Sequence, residues 1–145
     1  MYFKPLNEYF WDIVDIAQKS INQKYPDEDS IVKKNALREL EAIVSSDKTF
    51  DEKRMDIHKR FPDLITYMIH SAESGNAEAQ FALASAYRYA DGIPRDMKEA
   101  SKWVHAAAEQ GYAWAQLSLG GSSNDEKSVF WLTKAAEQGL AEAQY

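Results

Sequence analysis

One phrase occurs three times along this chain, and that constrains the fold more than any other feature. Residues 72–80 read Ala-Glu-Ser-Gly-Asn-Ala-Glu-Ala-Gln. Residues 108–116 read Ala-Glu-Gln-Gly-Tyr-Ala-Trp-Ala-Gln, 36 residues further on. Residues 136–144 read Ala-Glu-Gln-Gly-Leu-Ala-Glu-Ala-Gln. A period between about 20 and 50 residues marks a solenoid, because one short unit buries its apolar face only against a neighbouring unit. The absence of cysteine removes disulfides and thiolate chemistry, so stacking must hold the fold.

The spacing of apolar residues makes every element helical. Leu6, Tyr9, Phe10, Ile13, Val14, Ala17, Ile21 and Tyr25 recur at steps of three and four, which predicts a helix over 6–25. Trp11 and Ile16 fall off that stripe and are expected under a second helix. Pro26 stops the helix, and Asp29 or Ser30 can cap the next one over 30–44. Thr49 or Asp51 opens a shorter helix to Arg60, and Pro62 starts another that runs to Ser74 before Gly75. Tyr67, Trp103 and Trp131 each stand eight residues ahead of a glycine (Gly75, Gly111 and Gly139), so 48–75 reads as a degenerate helix pair. Residues 1–47 lack the phrase and read as an N-terminal helical cap for the open end of the stack. The clear repeat occupies 76–111, with helices over 76–90 and 97–110, and a shortened one occupies 112–139. Residues 140–145 begin a further repeat. All of this is expected as one structural domain.

The order Ala-x-x-Gly-x-Ala-x-Ala-Gln-x-x-Leu, Tyr-x-x-x-x-Gly-Ile-Pro-x-Asp, Lys-x-Ala-x-x-Trp and Ala-Ala-Glu-Gln-Gly resembles Sel-one-like repeats, relatives of tetratricopeptide repeats. The resemblance covers residues 62–145 and implies an all-α, right-handed α/α superhelical solenoid. It implies an adaptor, scaffold or regulator that binds another protein, many relatives being bacterial, and it implies no catalytic residues. Two departures stand out. The second repeat has 28 residues from Gly111 to Gly139, eight fewer than the first, and Gly121-Ser122-Ser123 replaces the last turn of the first helix, the family's tyrosine and the Gly-x-Pro turn. That shortening reads either as decay or as a tuned pocket. The chain also stops inside a helix, which reads as a truncation or as a short closing helix, and an uncapped end invites end-to-end homo-oligomers.

In stacked helix pairs the first helices line the concave wall. With Leu83, Ala84 and Tyr87 in the seam, Glu78, Phe81, Ser85, Arg88 and Tyr89 are expected to face the groove. The same register places Trp114 and Leu117 there in the second repeat, and Glu142 and Tyr145 in the third. Aromatics beside an arginine are the composition of protein-binding hot spots, and such a groove suits a partner helix or extended segment. The alternative at these positions is burial under the chain's own N-terminal helices or under the next turn of the stack.

The remaining observations exclude classes. Net charge is −6, and residues 1–71 and 72–145 are each acidic, which argues against nucleic-acid binding. No signal peptide and no membrane span is expected, which makes the chain cytoplasmic. His58, His70 and His105 stand alone, without His-x-x-x-His or Glu-x-x-His spacing, so neither metal nor other cofactor is expected. Without a nucleophile elbow or clustered acid and base, an enzyme of hydrolase type is the least favoured reading. Size, charge and resemblance also allow an immunity protein that neutralises a cognate toxin.

Overall fold

A computed structural model describes residues 3–120 and 126–139. The order is α1 (Leu6–Lys24), α2 (Ile31–Ser45), α3 (Phe50–Arg60), α4 (Leu64–Glu73), α5 (Ala77–Tyr89), α6 (Met97–Glu109), α7 (Ala113–Gly120) and α8 (Glu126–Glu137). All regular secondary structure among the described residues is helical, as the spacing predicts. The expected boundaries differ from these by one or two residues, the usual fraying of helix ends.

The chain divides into two compact units. One holds Pro5–Met68, and the other joins Met1–Lys4 to Ile69–Tyr145. In the first unit α1, α2 and α3 pack on one another. Tyr9, Phe10, Ile13, Ala17 and Ile21 of α1, Ala36 and Leu40 of α2, and Ile57 of α3 are buried. The caps are those the sequence supplies: Ser30 accepts from the Lys33 amide and Thr49 from the Glu52 amide. Ile16 is buried as expected, but Trp11 is 54% exposed, its ring edge resting on Phe10. Arg54 is buried against the Tyr9 ring and paired with Asp51, whereas the neighbouring Met55 is exposed.

In the second unit the helices pack in sequence order, α5 on α6, α6 on α7 and α7 on α8. The recurring phrase has a specific physical job here. Gly75, Gly111 and Gly139 take left-handed backbones at φ +100°, +92° and +85°. After α4 the Asn76 amide bonds to Ser71 O and the Gly75 amide to Ala72 O, and after α6 Tyr112 and Gly111 do the same to Ala107 and Ala108. This is the Schellman arrangement, and it reverses the chain without a Cβ in the strained position.

Five residues after Gly75 and after Gly111 comes a buried glutamine. Gln80 Nε2 donates to Ala72 O (3.0 Å), and Gln116 Nε2 donates to Ala108 O (3.2 Å). Each glutamine in turn accepts from the end of the next second helix: Gln110 Nε2 reaches Gln80 Oε1 at 2.8 Å, and Gln138 Nε2 reaches Gln116 Oε1 at 2.7 Å. The phrase is therefore a splice, since one side chain adds a second hydrogen bond to a carbonyl at the end of one helix and ties it to the helix after next.

Candidate partner-binding face

The second unit positions the candidate face along α5 and the start of α7. Asn76 caps α5 by accepting from the Ala79 amide (2.9 Å), and Asp96 caps α6 by accepting from the Lys98 and Glu99 amides. Between them the chain turns at Ala90, a non-glycine residue at φ 53°, and at Gly92 (φ +77°). These ends hold α5 in one register. Phe81, Arg88 and Tyr89 project from α5, and Tyr112 and Trp114 stand at the start of α7.

An extended piece of the chain's own polypeptide lies on this face. Phe3 is 7% exposed, and its ring stacks on Phe81 at 5.6 Å and 21°. The Tyr89 ring meets Phe3 edge-on at 6.3 Å, and the Arg88 guanidinium lies 4.8 Å from its ring centroid. Lys4 is 8% exposed, with its ammonium 5.2 Å from the Tyr112 centroid and 5.8 Å from that of Trp114. Phe81 and Tyr112 touch at 5.4 Å, so the two boxes share a wall. A buried cation must recover what water supplied, and ring faces supply part of it.

Four of the expected residues, Phe81, Arg88, Tyr89 and Trp114, converge on this segment. Three corrections follow for exposure. Phe81 and Ser85 are 1% exposed and Leu117 is 4% exposed, so these three do not line an open groove. The reason is that residues 79–86 and 115–120 are buried without interruption, which leaves no solvent-facing stripe on the middle of either helix. Ser85 spends its hydroxyl on Phe81 O at 3.0 Å. Glu78 is exposed, whereas Glu142 and Tyr145 lie outside the described residues.

Sequence reasoning missed Phe3, Lys4 and Tyr112. Tyr112 occupies the place that Asn76 holds in the first repeat, and an aromatic in place of a capping residue was a readable signal. Nothing in the local pattern joins Phe3 to residues far along the chain.

Electrostatics elsewhere are those of surface ion pairs. Hydrogen bonding to Asp63 raises the pKa of Lys24, and hydrogen bonding to Asp56 raises that of Lys48. Burial raises the Tyr87 phenol, with Glu99 and Asp96 adding to it. A cleft of about 420 Å³ in the first unit carries Lys24, Lys59 and Arg60, but Lys24 pairs with Asp63 and Arg60 with Glu39. Among the described residues no cluster of His, Asp or Glu could hold a metal ion, and no helix is long and apolar enough to cross a membrane.

Comparison with known proteins bears on this second unit. Residues 77–112 and 113–140 each match the Sel1 repeat model. Such repeats are generally non-catalytic protein-interaction modules. Chitin synthase regulatory factor 3 of Schizosaccharomyces pombe is 36% identical over 86 residues, a match covering 52% of this chain and 9% of that protein. The chain thus spans under a tenth of that relative's length.

Proposed function

We propose, on the premise that residues 77–140 are two Sel1 repeats, that this chain is a non-enzymatic adaptor or regulator that grips a segment of a partner protein along α5 and α7. The observation that carries this reading is the seating of an extended segment between two aromatic boxes, Phe81–Arg88–Tyr89 and Tyr112–Trp114. A face built this way supplies hot-spot chemistry, ring stacking and cation–π contact, at half-buried side chains that a second segment can reach. A regulatory role accords with the likeness to chitin synthase regulatory factor 3 of Schizosaccharomyces pombe. Toxin neutralisation is one form such a grip could take.

The test uses Tyr89→Ala with Trp114→Ala, since both side chains are half-buried and outside the deepest core. Affinity capture from the native host is expected to lose its partner with this double change while far-ultraviolet circular dichroism stays unchanged. Retention of the same partner by the double variant would remove the groove reading.

A further inference from the structure

We propose that residues 3–4 act as a built-in stand-in for the partner, and that the partner segment carries an aromatic residue followed by lysine or arginine and must displace this arm. The inference rests on the groove reading above and specifies its ligand.

Three observations carry it. First, the arm behaves as a bound peptide. Residues 3–5 are not helical, Pro5 is extended at φ −53° and ψ 148°, and residues 3–4 belong to the second unit although the next residues belong to the first. Second, the boxes sort by chemistry. Phe81 and Tyr89 give the first box two ring surfaces, which accept a flat apolar group, and Tyr112 and Trp114 give the second two electron-rich faces, which accept a cation. Residues 72–145 carry 6 basic and 10 acidic side chains, which favours a basic segment over an acidic one.

Third, the arm leaves a donor idle. Arg88 Nε is buried and has no hydrogen-bond partner. A foreign segment that stacks its ring in the same box and also offers a carbonyl to Arg88 gains a hydrogen bond that the arm does not make. The tethered arm sets a threshold, because its effective concentration at the face is high. A weak aromatic–basic segment is excluded, and a better one enters.

The test is fluorescence anisotropy with a labelled peptide of residues 1–6, Met-Tyr-Phe-Lys-Pro-Leu, titrated with the full chain. The Phe3→Ala/Lys4→Ala chain is expected to bind it about tenfold or more tightly than wild type, whose own arm competes. Alanine in place of the peptide's Phe or Lys should cost a similar factor. Adding Tyr112→Ala to the arm variant should erase the preference for Lys. Should the double change unfold the chain, Phe3→Leu keeps an apolar group in the box, loses the stacking, and is expected to shift affinity the same way by a smaller factor.

Equal affinity of wild type and arm variant, or indifference to the peptide's Phe and Lys, would overturn the proposal. So would a wild-type dimer that reverts to monomer in the arm variant, since the face would then belong to the arm of a second copy. If the peptide fails while Tyr89→Ala/Trp114→Ala still releases the native partner, the arm's role falls and the groove reading stands.

Discussion

The two repeats start alike and end differently. Both open with a Schellman glycine, both bury a glutamine that bonds back to the preceding helix, and both receive a second glutamine from the helix that follows. Yet α5 has 13 residues and α7 has 8. The difference lies wholly at the far end of the first helix. The junction between repeats is chemically specified, because the buried Gln80 and Gln116 need partners and find them in the helix before and after. The far end of α5 is held only by local backbone bonds, Asp91 N–H to Ala86 O and Asp96 N–H to Tyr87 O, and α7 is shorter there by about one and a half turns. The shorter helix also comes closer to its neighbour. A Cβ placed on Gly120 would meet Leu132 Cγ at 2.6 Å and its backbone nitrogen at 2.9 Å, whereas the equivalent Ala84 of the first repeat carries its methyl fully buried.

The largest effect should come from the residue that both repeats share in position but not in type. Phe81 lies at the centre of the second unit's core, so Phe81→Ala should cost roughly 3–5 kcal/mol, measured by urea unfolding. Leu117→Ala, its counterpart, should cost less within the range of about 2–5 kcal/mol for leucine. A larger loss at Leu117 would break the comparison.

Next in size is the glutamine splice. Removing the Gln116 amide takes one of two hydrogen bonds from the Ala108 carbonyl and leaves Gln138 donating to Gly111 O alone. Gln116→Ala is expected to cost about 1–3 kcal/mol, and Gln80→Ala a similar amount. Values that differ widely between the two sites would show that the repeats do not share one junction.

Gly120 sharpens the contrast further. Glycine to alanine inside a helix ordinarily stabilises by roughly 0.5–1 kcal/mol. Gly120→Ala should instead destabilise by about 1–3 kcal/mol, since the obstacle is partly backbone. Ala84→Gly should also destabilise, by about 1 kcal/mol.

The smallest effect is a pH dependence confined to the first repeat. Tyr87 has its pKa raised above 10.0 by burial and then by Glu99 and Asp96. The folded state therefore holds the phenolic proton more tightly than the unfolded state. Its contribution is intact below about pH 10 and is lost as pH rises through the folded value. Alkaline unfolding of Tyr87→Phe should show a shallower fall than wild type.

The sequence made the helical elements legible because apolar spacing, capping residues and stop glycines all agreed. Ser30, Thr49, Asn76 and Asp96 all cap where their positions suggest. Helical register also brought Phe81, Arg88, Tyr89 and Trp114 to one face. Register alone could not tell which of these remain open, because burial depends on what lies across from a helix. Residues 79–86 are mostly small, and small residues let neighbours approach until no side stays wet. Phe3 and Lys4 were invisible for the same reason, since a contact across so much chain leaves no periodic trace. The turn at Ala90 was likewise unreadable, alanine being an uncommon occupant of left-handed backbone.

The central claim is that an extended aromatic–basic segment occupies the α5–α7 face. Proton NMR of the full chain tests it most directly through cross-ring nuclear Overhauser effects. The Phe3 ring is expected to show them to Phe81 and Tyr89, and the Lys4 ε-methylene to Tyr112 and Trp114. A Phe3 ring with random-coil shifts and no such contacts would contradict the claim.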